Sequence, residues 1–240
     1  MLEINKTDKF ANIAIPDNWN GRTIENLLKE ELHVPKKMLH QWRMNKSLYY
    51  KEETHPWSVK ITAGETLSIP IYEEEENPIP PFDLPLSILY EDEDILVINK
   101  PAGLNTHPVN EKDTKTLLNA VSHYFLVKGI QTKPRHIHRL DKDTSGAILF
   151  AKHAYAGALL DAALAEGLIK RTYAALVCGI VQKEAGTVDA PIGRDRHRAG
   201  KMRVSPSGKQ AITHYKVIKR MKPDHLTLVS CRLETGRTHQ

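Results

Sequence analysis

The stretch His138-Arg139-Leu140-Asp141-Lys142-Asp143-Thr144-Ser145-Gly146 concentrates polar chemistry between two apolar segments. Two carboxylates, Asp141 and Asp143, share it with an imidazole, a guanidinium and an ammonium. At this level the acids are interchangeable and two readings stand. One is a site built on charged groups; the other is a solvated turn, with Asp, Thr, Ser and Gly chosen for local backbone reasons and an Arg-Asp ion pair at the surface. A second charged stretch, Arg194 to Arg203, holds Arg194, Arg196, His197, Arg198, Lys201 and Arg203 with Gly200. It is too basic for a core and reads as a loop. Near the end, Thr235-Gly236-Arg237-Thr238 taken alone is a turn with a surface arginine.

These residues need rigid supports. The run Ala147 to Ala151 suits a buried strand, which places the polar window before it on a loop held by regular structure. Ile95 to Ile98 reads as another buried strand, entered by an acidic turn and left by Pro101-Ala102-Gly103. Leu117, Leu118, Val121, Phe125 and Leu126 recur at helical spacing and predict an amphipathic helix over Thr116 to Val127. A further helix is expected from Ala154 to Leu168. Strands are expected over Lys170 to Gly179, Ala211 to Ile218 and Leu226 to Leu233. Hairpin-like spacing of the later strands predicts an α+β fold with a mixed, mainly antiparallel sheet and helices packed on it.

Upstream, residues 14–72 read as a small α+β unit. It has helices over Thr23 to Leu32 and Pro35 to Trp42, then strands over Ser47 to Tyr50 and Gly64 to Ile69. The segment Glu73-Glu74-Glu75-Glu76-Asn77-Pro78-Ile79-Pro80-Pro81 suits neither helix nor central strand, because adjacent acids repel and prolines remove backbone donors. The expected organisation is therefore a domain at 1–72, an acidic and Pro-rich linker at 73–87, and a domain at 88–240.

Charge is unevenly distributed. Residues 1–72 carry 10 Lys/Arg against 9 Asp/Glu, residues 73–94 none against 9, and residues 95–240 carry 24 against 11. The balances of +1, −9 and +13 place the excess of +5 in the C-terminal part and suggest a polyanionic partner. No apolar run approaches the roughly 20 residues of a membrane span. The start, Met1 to Lys6, lacks signal-peptide features. Cys178 and Cys231 lie in strand-like surroundings and are expected as buried, reduced thiols, and the histidines show no zinc spacing. A soluble, cytoplasmic, monomeric protein without metal or membrane contact is the expectation.

Four segments together resemble the RluA/RluD-type pseudouridine synthases, in order and spacing. They are Tyr90-Glu91-Asp92-Glu93-Asp94-Ile95-Leu96-Val97-Ile98-Asn99-Lys100-Pro101, the window 138–146, Lys170-Arg171-Thr172-Tyr173, and Leu233-Glu234-Thr235-Gly236-Arg237-Thr238-His239-Gln240. Pro191-Ile192-Gly193-Arg194 with Lys201-Met202 is similar to the family too. The N-terminal unit, with Lys36, Lys37, His40 and Arg43 on its second helix, resembles the S4-type RNA-binding module, although Met44-Asn45-Lys46 stands where that module has a glycine-containing turn.

The resemblance implies isomerisation of uridine to pseudouridine in structured RNA, on large-subunit ribosomal RNA in the first instance and transfer RNA as the alternative, without cofactor or metal. A non-catalytic RNA-binding or ribosome-assembly protein of the same fold is the reading from another class. The matching positions make Asp141 the nucleophile, attacking ribose C1′ or uracil C6 or assisting elimination through a glycal. Arg237 becomes the cation that keeps that carboxylate ionised, and Tyr173 the ring that stacks on uracil and takes the C5 proton. Leu233 is an apolar wall or a core residue. Arg139 fills the space left by the flipped base or contacts phosphate, Arg194 and Lys201 grip the RNA backbone, and Asp143 shapes the turn. Family members continue past the last motif, so a natural chain longer than Gln240 is expected.

Overall fold

In the computed structural model, which describes residues 4–198 and 200–240, the chain forms two units, Met1–Ala162 and Ala163–Gln240. Met1 to Glu3, part of the start read above for a leader, and Ala199 within the basic stretch lie outside the described residues.

The first unit opens with β1 (Ile4–Thr7) and β2 (Phe10–Ala14), two strands that periodicity did not reveal. β1 exposes every side chain, and only Ala11 and Ile13 of β2 are buried, so neither carries a strong apolar alternation. A helical turn α1 (Ile24–Asn26) is capped by the Thr23 hydroxyl, which accepts from the Asn26 amide at 3.2 Å, and continues as a π-helical turn over Leu27–Glu31. After α2 (Lys36–Asn45), Lys46 takes the left-handed conformation (φ 50°) usually given to glycine, closing the helix with bonds to Arg43 and Trp42. Strands β3 (Tyr49–Tyr50) and β4 (Thr66–Ile69) complete an antiparallel sheet of order β1-β2-β4-β3. Ile24, Leu27 and Leu28, the helically spaced residues, are wholly buried against Ile13, Trp42 and Leu67.

Residues 70–87 hold no helix or strand, in keeping with their acids and prolines. The segment is not loose. Asn119 donates to the Pro80 carbonyl at 2.8 Å, Ser122 to Ile79 at 2.7 Å, and the Phe82 amide to Asn119 at 3.1 Å.

The second sheet of this unit has order β5-β6-β8-β7, formed by β5 (Ile88–Glu91), β6 (Ile95–Lys100), β7 (Arg135–His136) and β8 (Gly146–Ala151). Asp92 makes the β5–β6 turn by accepting from the amides of Asp94 and Ile95, each at 2.8 Å. Helix α3 (Leu117–Lys128) starts on a Thr116/Asn119 capping box and ends on left-handed Gly129. Its Leu117, Val121 and Phe125 are buried, as are Leu96, Ile98, Ile148 and Phe150 of the sheet. The division between the units falls in α4 (Ala154–Ala165).

In the second unit, β9 (Arg171–Cys178), β10 (Ala185–Asp189), β13 (Ile212–Met221) and β14 (Leu226–Leu233) form an antiparallel sheet of order β10-β13-β14-β9. The basic stretch is not wholly a loop: β11 (Ile192–Arg194) pairs with β12 (Met202–Val204), so its ends are hairpin strands. The fold is thus α+β, with antiparallel pairing throughout the described strands. One expectation fails: Cys178 is exposed and Cys231 only partly covered, because the alternation of β9 turns Cys178 outward. Both thiols are free. Among the described residues no helix is long and apolar enough to cross a membrane.

Candidate functional site

Asp141 lies between two backbone clamps. On one side the buried Thr106 hydroxyl donates to the Leu140 carbonyl at 2.8 Å and accepts from the Leu140 amide at 3.2 Å. On the other, Lys100 donates to the carbonyls of Pro101 (2.9 Å), Leu104 (2.8 Å) and Lys142 (2.9 Å), and the Gly103 amide adds a second bond to Lys142. The Thr144 amide donates to the Asp141 carbonyl at 3.1 Å, closing a turn over Asp141–Thr144. The sheet register explains how the ammonium gets there. Lys100, last residue of β6, pairs with Gly146, first residue of β8, where φ of +132° requires glycine.

Lys100 is wholly buried, and desolvation pulls its pKa down while the charges of Asp143 and Asp141 push it back up. Both acids therefore stand within electrostatic reach of one buried cation. They differ in cover: Asp141 is half-buried and Asp143 exposed. The expected bonding of Asp143 to nearby amides does not occur; among the described residues its carboxylate accepts no hydrogen bond, because the turn is closed by the Asp141 carbonyl instead.

Beside the loop, the rings of His107 and His136 stack at 4.9 Å and 13°. Burial brings His136 down to about 4, helped by the positive character of His107, Arg139 and His138. His107 is lowered by burial and by Arg139, against Asp113. Arg139 itself is exposed, so its guanidinium reaches solvent while its charge is felt by both rings. His138 accepts from the Leu149 amide through Nε2 at 3.3 Å, which ties the window to β8.

In the second unit, Tyr173 pairs with Cys231 and Arg171 with Leu233 across β9 and β14. Paired residues share a face. Tyr173 and Leu233 are thus diagonal neighbours on one side of the sheet, both half-buried. Just past Leu233, Thr235 accepts from the Ile212 amide at 2.9 Å, and Gln240 donates to the Ile212 carbonyl and the Thr213 hydroxyl, each at 3.0 Å. This turn carries Arg237, exposed, whose Nε donates to the Gln210 carbonyl at 2.8 Å. Arg194 and Lys201 project into solvent at the β11–β12 hairpin, whose tip is closed by the Asp195 amide on the Lys201 carbonyl at 2.8 Å.

Of the expected residues, Asp141 and Arg139 belong to the first unit and Tyr173, Leu233, Arg237, Arg194 and Lys201 to the second. Sequence reading gave no role to Lys100, Thr106, the stacked histidines or Arg171. A lysine ending an apolar strand was the one available signal. Among the described residues no group of three or more His, Cys, Asp or Glu is placed to hold a metal ion.

Residues 94–240 match the family described as RNA pseudouridylate synthase, and residues 11–67 match the RluD ribosomal pseudouridine synthase N-terminal domain. The chain belongs to the RNA pseudouridylate synthase family, whose members isomerise uridine to pseudouridine in RNA. It is 39% identical over 237 residues to the uncharacterized RNA pseudouridine synthase YhcT of Bacillus subtilis, covering 99% of this chain and 78% of that one. It is 37% identical to the ribosomal large subunit pseudouridine synthase D of Xanthomonas campestris, covering 95% of this chain and 68% of the relative. Against YlyB, another uncharacterized RNA pseudouridine synthase of Bacillus subtilis, it is 41% identical but spans only 60% of that relative's length. Among solved structures, human RNA pseudouridylate synthase domain containing 1 superposes with a TM-score of 0.53 at 29% identity, over 65% of this chain and 62% of that one.

Proposed function

We propose that this chain converts uridine to pseudouridine in structured RNA, with large-subunit ribosomal RNA as its substrate. The carrying observation is the Asp141 loop: a half-buried carboxylate on a backbone pinned on both sides by Thr106 and Lys100. A nucleophile needs that fixed geometry, whereas a protein that only binds RNA does not. Asp141 attacks the target nucleoside, the N-glycosidic bond breaks, and the uracil turns and is rejoined through carbon. The target base must leave its stack to react, and the exposed guanidinium of Arg139 is suited to occupy the vacated space. Tyr173 and Leu233 hold the uracil, with Tyr173 taking the C5 proton, and Arg237 is the cation that keeps Asp141 ionised. Arg194 and Lys201 contact the RNA backbone.

The relatives that carry the name ribosomal large subunit pseudouridine synthase D, from Xanthomonas campestris and Pasteurella multocida among others, support ribosomal RNA over transfer RNA. The same reading makes the protein a cytoplasmic monomer working without cofactor, with an N-terminal RNA-binding domain at 1–72 joined through 73–87 to a catalytic domain at 88–240. The test is incubation with large-subunit ribosomal RNA transcripts and with a transfer RNA pool, followed by pseudouridine mapping. Modification of discrete ribosomal uridines supports the reading, and modification of transfer RNA alone overturns the substrate.

A further inference from the structure

We propose that Arg171 forms an anion subsite that takes an RNA backbone phosphate beside the nucleotide held against Tyr173 and Leu233, with Lys170 and Arg232 adding positive charge at the same strand end. The inference rests on the function proposed above. Arg171 stands directly opposite Leu233 in the β9–β14 ladder, and Tyr173 lies on the same face two residues along. A base against Tyr173 and Leu233 therefore has the Arg171 side chain at its border. The guanidinium reaches the turn after Leu233, since a Cβ placed on Gly236 would fall 2.6 Å from Arg171 Nη1. The absent side chain of Gly236 makes room for a planar cation in the turn that also carries Arg237.

A cavity of about 300 Å³ opens at the end of these strands, with Lys170, Arg171, His214, Arg232, Leu233 and Glu234 in its wall; Arg232, paired with Thr172 and His214, alternates to the sheet face opposite Arg171 and Leu233, so the cleft borders the strand end from both sides. The acid among them is already engaged, because His214 Nε2 lies 2.8 Å from the Glu234 carboxylate. Among the described residues, Lys170, Arg171 and Arg232 make no ion pair, and Arg171 Nε is shielded from solvent without a hydrogen-bond partner. Three cations face a single carboxylate around this cleft, which leaves it short of negative charge. A phosphodiester supplies it, and its oxygens match the donor fork of a guanidinium. The competing role for Arg171 is a prop for the 234–237 turn with no ligand.

The experiment compares the wild-type chain with Arg171→Gln, Arg171→Lys and the exposed double variant Lys170→Gln/Arg232→Gln on transcribed large-subunit ribosomal RNA at several salt concentrations. Arg171→Gln should raise KM about tenfold with kcat little changed, the expected size for one charge-assisted contact. The slope of log affinity against log salt should become shallower by about 0.7. Arg171→Lys should restore the slope while recovering only part of the affinity. The double variant should flatten the slope further at unchanged melting temperature. Unchanged slopes and KM in all variants of an active wild-type protein would overturn the subsite alone, as would a fall in kcat and melting temperature at constant slope. A wild-type protein that binds these transcripts but modifies none would overturn the proposed function, and the subsite with it.

Discussion

The ammonium of Lys100 and the carbonyl oxygen of Lys142 lie 2.9 Å apart, which ties the end of β6 to the residue after Asp141. With the Pro101 and Leu104 carbonyls on the same nitrogen, one buried cation organises two loops. Lys100→Met keeps the apolar stem and removes all three donors. It should cost roughly 2–4 kcal/mol, because acceptors lose their partner in a dry site, and lower kcat by about tenfold as the Asp141 loop loosens. Urea unfolding and single-turnover rates check this; wild-type values for both would show that the bonds do not position the loop.

Thr106 is the opposite clamp. Thr106→Val is close to isosteric and leaves the Leu140 amide and carbonyl without the hydroxyl, so a loss of about 1–3 kcal/mol is expected. Combined with Lys100→Met, the losses should fall short of additive if both hold one loop. Strict additivity in the double-mutant cycle would mean that the clamps act independently.

His136 predicts an acid-side dependence of stability. Its folded pKa is about 4, depressed first by burial, against roughly 6.5 for an unperturbed histidine. Between these values the unfolded chain binds a proton that the folded chain refuses. The contribution is fully present above about 6.5 and declines as pH falls toward 4. Thermal melts across that window should show stability rising with pH, and His136→Phe, which keeps a ring against His107, should flatten the rise. An unchanged slope in the variant would place the dependence on other groups.

Much of this fold was legible because apolar spacing matched burial: Ile24, Leu27 and Leu28, then Leu117, Val121 and Phe125, are the residues that the packing hides. β1 and β2 escaped notice because strands of four and five residues with few buried side chains leave almost no pattern. Cys178 was misread because an apolar strand composition does not tell which face is outward; the register does. At the site, the charged window identified its own loop. The supports could not be read there, since Lys100 and Thr106 act from 42 and 34 residues away through backbone carbonyls and amides, which leave no trace in side-chain type.

Everything proposed for the site depends on the carboxylate of Asp141 being the reacting group. Asp141→Asn replaces it with a neutral near-isostere on an unchanged loop, and the variant should be measured for pseudouridine formation and for RNA affinity in the same transcripts. Product formation should be abolished while affinity stays within about threefold, because the interaction lost belongs to the transition state rather than to binding. A variant that still forms pseudouridine at the wild-type rate would contradict that role for Asp141.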